Sequence, residues 1–371
     1  VLKQIEKKVV AGERLTVADA TAVYFHSNLL ELAGMADFVR RRKHTGTTVT
    51  YNVGRNINYT NICWVKCKFC NFYAAPGSPD GYTLPHDEIF AKIDELIAVG
   101  GDVPHGCELL MQGGLNPKLR VEYFEELFVE ITRRYPQVYL HALSATEIIY
   151  IAHISKLTIE ETLRRLRQAG LQSLPGAGAE ILSDAVRDQI AFRKDTTDEW
   201  LEVHRAAHHI GMNTTATMMY GSLEAAEQRI EHLELIRQTQ DIALREIGSG
   251  RGGGKFTAFI AWDFQPEGTE LQSNWDRRKS TGAEYLRMVA LSRIFLDNID
   301  NLQASYVTQG SKIAQIALRY GLNDFGSSMM EENVVSAAGT FHLMPISEFC
   351  RVIAEAGYEP RRRNTRYEFI E

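Results

Sequence analysis

Nowhere in its 371 residues does the chain hold an apolar run near the ~18 residues that a membrane-spanning helix needs. Its first eight residues, VLKQIEKK, carry no hydrophobic secretory core, so nothing in them points to export. Cysteine is scarce: five, an odd number, with three crowded into one stretch, which is not a disulfide framework. Together these absences set the expectation of a cytoplasmic protein. A basic excess is also missing. The net charge of -6 argues against a nucleic-acid surface, and the short basic runs at 40–43 and 361–363 read as solvated faces. A phosphate loop is missing as well. The Gly-rich segment 248–255 has Ser249 where the first glycine of that motif belongs and Phe256 where its Ser or Thr belongs, so it reads as a flexible connector.

What is present is a rhythm. The first forty or so residues are helical in pattern, and 45–59 is β-branched and alternating. From there short apolar strands alternate with amphipathic helices. Strands are expected near 57–59, 108–111, 138–143, 171–174, 214–219, 256–262, 302–307 and 325–330, with a last helix at 346–357. Such alternation predicts parallel strands with helical crossovers, an α/β fold. Eight units without a change of composition predict a closed (β/α)8 TIM-type barrel at 49–340, with an N-terminal helical segment at 1–48 and a C-terminal helical extension at 341–371. A doubly wound open sheet is the alternative.

In a barrel, loops that follow strands share one face. The stretch 61–72 (NICWVKCKFCNF), Gln112-Gly113-Gly114, Glu180, Gln265-Pro266, Gln309 and Glu331-Glu332 all follow expected strands and should converge. Within the first lie Cys63, Cys67 and Cys70, spaced C-x3-C-x2-C. A structural zinc site usually takes four protein ligands. Cys107 starts a core strand and Cys350 lies on a helix, so each reads as a small buried apolar residue. Three soft thiolates in one loop suit three irons of a [4Fe-4S] cluster with one iron left open, while zinc and unliganded thiols stay as alternatives.

With Phe69 just before the last cysteine, this loop resembles that of the radical S-adenosylmethionine superfamily. The resemblance implies that Cys63, Cys67 and Cys70 bind a [4Fe-4S] cluster and that S-adenosyl-L-methionine chelates the open iron. It implies reductive cleavage to a 5′-deoxyadenosyl radical, with the electron coming from a donor such as flavodoxin or ferredoxin. Phe69 would neighbour the adenine. Gln112, Gly113 and Gly114 resemble the family's Gly-Gly-Glu motif, which meets the cofactor's amino group, although Gln stands first and Leu115 follows the glycines. Glu180 is placed to accept hydrogen bonds from the cofactor ribose, or else is an ordinary first-turn carboxylate.

The segments 141–144 (HALS), 178–181 (GAEI), 214–221 (TTATMMYG), 303–310 (QASYVTQG) and 329–335 (MMEENVV) narrow the resemblance to one branch. That branch holds the dehypoxanthine futalosine cyclases and aminofutalosine synthases of menaquinone biosynthesis, and the FO synthase subunit of deazaflavin biosynthesis. Segments 256–266 (FTAFIAWDFQP) and 330–340 (MEENVVSAAGT) are most similar to the cyclases. The implied reaction on the small-molecule substrate dehypoxanthine futalosine takes hydrogen from C4′ of its ribose and joins that carbon to the benzoate ring. It requires a base, a carboxylate anchor and a dry cavity. His141, Glu331 and Glu332 are the candidate bases, each with a plain loop-bracing role as its alternative. Arg187 is a weaker candidate partner for a carboxylate. Trp262 and Tyr306 either line the cavity or fill the barrel, packing being the leading reading, and His208 and His209 read as structural or solvent-facing.

Overall fold

The computed structural model describes residues 1–274, 278–334, 336–339 and 342–370. The expected boundary between 340 and 341, the chain end at 371 and position 335 of the 329–335 segment lie outside them.

The N-terminal region is three helices, Leu2–Ala11, Val17–His26 and Leu29–Lys43, the last two opened by full capping boxes at Thr16/Asp19 and Asn28/Glu31. Ten strands follow: β1 Thr48–Asn52, β2 Gly54–Ile57, β3 Cys107–Met111, β4 Val138–Ala142, β5 Ser173–Leu174, β6 Asn213–Tyr220, β7 Phe256–Asp263, β8 Asn301–Gln303, β9 Asp324–Ser327 and β10 Glu359–Arg362. All ladders between them are parallel, in the order β10-β1-β9-β8-β7-β6-β5-β4-β3-β2. Helices cross over outside. Helix Val121–Arg134 shows why: Val121, Phe124, Leu127, Phe128 and Ile131 form one apolar stripe that needs the sheet beneath it. β4 is buried at all five positions, as a parallel strand covered on both faces should be.

The architecture is a partial barrel, a curved parallel sheet wrapped by helices, in place of the regular (β/α)8 barrel that eight equal units would build. The units are unequal. β5 has two residues and β8 three, and single residue pairs join β4 to β5 and β8 to β9. The first strand is split at Val53: β1 pairs with β9 and β10, and β2 pairs with β3. Strand 302–307 stops early because Tyr306 already begins helix Tyr306–Ala317. The C-terminal extension is helical only over Ile346–Glu355. Beyond it the chain extends, lays β10 along β1, and turns back under the sheet. Among the described residues no helix is long and apolar enough to cross a membrane.

Candidate active site

The cysteine loop leaves the end of β2 and is stapled down along its length. Cys63 N–H donates to the Ala74 carbonyl at 2.9 Å, Trp64 N–H to Leu115 at 3.2 Å, and Cys70 N–H to Cys67 at 3.1 Å. The Gly-Gly turn after β3 is the other jaw of the clamp. Gly114 N–H donates to the Thr60 carbonyl at 2.8 Å. A Cβ on Gly113 would lie 2.8 Å from Tyr59 Cζ, and one on Gly114 only 2.4 Å from the Ile62 oxygen. The glycines therefore let the cysteine loop close onto the turn, a requirement set inside the protein before any ligand is considered.

This turn is held from a third direction by Glu147. Its carboxyl accepts from Gly113 N–H at 2.9 Å, Tyr59 O–H at 2.6 Å, and the Ser144 N–H and hydroxyl at 2.7 and 2.6 Å. Ser144 and Glu147 also cap helix Ala145–Ser155. Burial outweighs the four hydrogen bonds and holds this carboxyl above its usual range.

Between the jaws lies a cavity of about 200 Å³ lined by Cys63, Cys67 and Cys70 together with Phe69, Gln112, Gly113, Gly114 and Glu180. All eight expected cluster and cofactor residues thus meet at one place. Burial pushes the Cys63 and Cys67 thiols up, and Cys70 to about 11. Glu180 sits in the left-handed region at φ 41° and is paired with Lys194, whose ammonium lies 5.7 Å from the Phe69 ring centre. Asn58 and Thr146 also line the cavity. Asn58 Oδ1 and Thr146 Oγ1 are buried with no hydrogen-bond partner among the described residues, so the wall presents acceptors that a ligand's N–H groups would satisfy. Among the described residues no three His, Cys, Asp or Glu side chains gather around one ion position. A soft three-thiol set beside uncommitted acceptors does fit a cluster with an amino-acid ligand.

A second cavity, of about 340 Å³, runs down the interior of the sheet and shares Phe69, Gln112, Ala177, Gly178, Glu180 and Val334 with the first. His141 lines it, bonded to Ser173 Oγ at 2.6 Å; burial and Arg363 push its imidazole down to about 3, so it is neutral there. Glu332 lines it too and accepts from the Val334 and Ser336 amides, both at 3.0 Å. Glu331 lines neither cavity. It pairs with Arg55 at 2.9 Å and Lys92 at 2.8 Å, which hold its carboxylate below the usual range. Arg187 is likewise a brace: it pairs with Asp195 at 2.7 Å and caps the Gly178 and Ala179 carbonyls just before Glu180. Trp262 and Tyr306 do line the cavity, the latter with its hydroxyl on the Ser327 carbonyl at 3.0 Å.

Sequence reasoning missed Asn58, Thr146, Glu147 and Lys194 around the smaller cavity, and Glu108, Arg363, Thr365 and Tyr367 in the larger one. For Glu147 a signal existed, the Ser-x-x-Glu capping box at 144–147. For Arg363 the signal misled. Its basic run reads as solvated, yet it is 3% exposed and paired with Asp324.

A parallel sheet with a C-x3-C-x2-C loop clamped beside a Gly-Gly turn defines the class. Residues 57–236 match the radical SAM superfamily model, and residues 253–371 match the model described as the CofH/MqnC C-terminal region. The chain is similar to the cyclic dehypoxanthine futalosine synthase of Halalkalibacterium halodurans, 42% identical over 366 residues that cover 99% of this chain and 94% of that protein. It is 38% identical over 373 residues to a 5-amino-6-(D-ribitylamino)uracil–L-tyrosine 4-hydroxyphenyl transferase of Methanothermobacter thermautotrophicus, covering 100% and 96%. In fold it is like the hydrogenase maturase HydG from Carboxydothermus hydrogenoformans, with a TM-score of 0.71, 15% identity, and 98% and 81% of the two chains covered. It is a radical SAM enzyme. Within that superfamily the chain belongs to the CofH/MqnC family, whose members typically use S-adenosylmethionine and a [4Fe-4S] cluster.

The two matched regions divide as the cavities do. Every residue named around the smaller cavity lies at 58–194, within the superfamily region, apart from Val334. The larger cavity adds residues from 260 to 367, within the family-specific region.

Proposed function

We propose that this chain cyclises dehypoxanthine futalosine in menaquinone biosynthesis. The observation that carries the reading is the wall common to the two cavities, backed by the full-length likeness to a synthase of that name. In this reading Cys63, Cys67 and Cys70 hold the cluster. Gln112, Gly113 and Gly114, with Asn58, receive the amino-acid part of S-adenosylmethionine; Glu180 meets its ribose and Phe69 its adenine. Bound together, these groups supply a carbon-centred radical able to abstract hydrogen. The protein's share is placement. The substrate's ribose belongs at the shared wall, and its benzoate belongs in the larger cavity below.

His141 and Glu332 are the residues for the ring proton. Glu332 stands at the cavity mouth as the stronger acceptor, while His141, held neutral by burial and bonded to Ser173, is the weaker base of the two. Apolar walls around Leu110, Ile260 and Trp262 keep water from the reacting carbons. The electron comes from a small one-electron carrier such as flavodoxin or ferredoxin. In this reading the partial barrel walls both cavities, and the split first strand ties its two ends together. At residue 328 the N–H donates to the Asn52 carbonyl at 2.9 Å, and on the other side Glu108 N–H donates to the Val53 carbonyl at 2.9 Å.

A second reading, transfer of a tyrosine-derived group to a ribitylaminouracil, has the near-equal likeness to the Methanothermobacter protein in its favour. Anaerobically reconstituted enzyme, a reductant and S-adenosylmethionine, offered each substrate in turn, separate the two. Cyclised product from dehypoxanthine futalosine alone is expected; product only from tyrosine and the uracil would reject the first reading.

A further inference from the structure

The larger cavity ends in a floor that the expected base and cofactor residues leave unused. Arg363 is fixed there from two sides: its guanidinium grips both oxygens of Asp324, and its Cζ lies 3.9 Å from the centre of the Tyr367 ring. Its Nη1 makes one further bond, to the Asn364 carbonyl at 3.0 Å. Of its five N–H groups, two make no hydrogen bond among the described residues, and Arg363 lines the cavity.

Thr365 and Tyr367 line it as well, presented by a turn that Asn364 organises by accepting from the Arg366 and Glu368 amides at 2.9 and 3.0 Å. Tyr367 is held in the left-handed region at φ 66°, a strained place for an aromatic residue. Glu108 rises from β3 opposite them, with Arg363, Thr365 and Asn52 around it, and burial holds its carboxyl above the usual range. Thr365 and Asn52 stand within hydrogen-bonding reach of that carboxyl. Asn56, which also lines the cavity, has its Oδ1 buried without a hydrogen-bond partner among the described residues, an acceptor that a ligand or ordered water would complete.

The choice of ligand follows from where the ends of the cavity lie. At the mouth, the carboxylate of Glu180 is matched by Lys194 and that of Glu332 by backbone amides. The mouth is also where the two cavities meet, so the sugar that gives up hydrogen belongs there. From Gln112 at the mouth to Glu108 at the floor is about 13 Å of extended strand. The floor is left for the opposite end of the substrate, and its offering is a pre-fixed guanidinium with Thr365 and the ring of Tyr367 beside it. That is a donor set for a carboxylate.

We infer that the floor formed by Arg363, Thr365 and Tyr367 is the anchor for the benzoate carboxylate of the substrate, built by the C-terminal turn. This rests on the cyclase reading for the substrate's identity, so its test uses binding of a fragment and not turnover. Sodium benzoate and its neutral counterpart benzamide are titrated into the full-length protein, followed by tryptophan fluorescence, since Trp262 lines the same cavity. Benzoate is expected to bind at least ten-fold tighter than benzamide. That preference should collapse in Thr365→Val and Arg363→Lys, while S-adenosylmethionine binding stays within two-fold. Thr365→Val keeps the Arg363–Asp324 pair, so a folding defect in Arg363→Lys leaves the question answerable. Equal binding of the two probes by the wild-type chain would mean that the floor holds ordered water only, and would overturn the anchor. A preference surviving in Thr365→Val and in folded Arg363→Lys would overturn it too. Neither result touches the cyclisation assay, whose failure would be read separately.

Discussion

Gly114 and His204 show how much a single position carries. A methyl group at 114 would have to displace the Ile62 carbonyl and press on Cys63 Cβ at 3.0 Å, and backbone cannot yield as a flexible side chain can. Gly114→Ala should therefore spread the clamp and move the first cysteine while leaving the core intact. Reconstituted protein should carry less than half the wild-type iron, with an unchanged far-ultraviolet spectrum. Full iron loading would show that the loop does not depend on the turn. Glu147 acts on the same turn from behind. Glu147→Ala would strand the Gly113 and Ser144 amides and the Tyr59 hydroxyl in a buried place, at about 1–3 kcal/mol for each group left unpaired. A urea midpoint within error of wild type would refute that accounting.

At the scale of elements, the C-terminal turn is the piece whose loss the protein should feel most. β10 lies along β1, and the chain then enters the interior, where Arg363 and Asp324 meet at 3% and 0% side-chain exposure. Removing one partner of such a pair leaves a buried charge unmatched, which costs about 3–5 kcal/mol. Asp324→Ala should lose that much in urea unfolding, and a loss below 1 kcal/mol would mean that Arg363 finds another partner. The sequence could not announce this element. Four residues, EPRR, followed by RNTRYEF, read as a charged tail, because burial of an arginine depends on an aspartate 39 residues earlier. Elements with their own local signal were legible: helix Val121–Arg134 was expected at those same bounds, and β3, β4, β6 and β7 within two residues. The short β5 lies inside its expected 171–174, while β8 ends at 303, well short of the expected 307, because Tyr306 already begins a helix. The site divides likewise. Residues tied to a motif (the cysteines, Phe69, Gln112 to Gly114, Glu180) could be named in advance. Residues brought in from other elements (Asn58, Lys194, Arg363) could not. Glu331 and Glu332 mark the limit of motif reading, because adjacent residues at a strand end face different ways, one to Arg55 and Lys92, the other to the cavity.

Across the whole molecule, the interior holds histidines as neutral groups. Burial pushes His141, His208 and His232 down to about 3, and His204 well below its ordinary value. Each binds a proton in the unfolded chain near pH 6.5 that it refuses in the native one, so its contribution is whole above pH 6.5 and is lost progressively as pH falls toward 3. Buried carboxyls pull the other way. Glu108 and Glu147 are raised, and Asp263 is raised to about 6, so they hold protons in the native state that the unfolded chain has released. A pH profile of the wild-type protein therefore sums opposing contributions, and one substitution isolates a single group. His204 lies between Trp200, 3.9 Å from it by ring centres, and Phe256 at 5.2 Å. Neither of its ring nitrogens has a hydrogen-bond partner among the described residues. The titratable group acting on it is His208, one turn along the same helix and itself held neutral, and the rings packed against it from β7 and from its own helix carry no charge. His204→Phe removes two unmatched polar atoms and keeps a ring in the stack, so it should raise stability by about 1–2 kcal/mol at pH 7.5. Below pH 6.5 that advantage should widen by about 1.4 kcal/mol per pH unit, one proton's worth, as the wild-type chain gains proton binding only when unfolded. Urea unfolding of both proteins at pH 7.5, 6.0 and 5.5 measures it. Parallel profiles would mean that His204 is protonated in the folded protein, and a less stable variant would mean that its nitrogens are satisfied by ordered water.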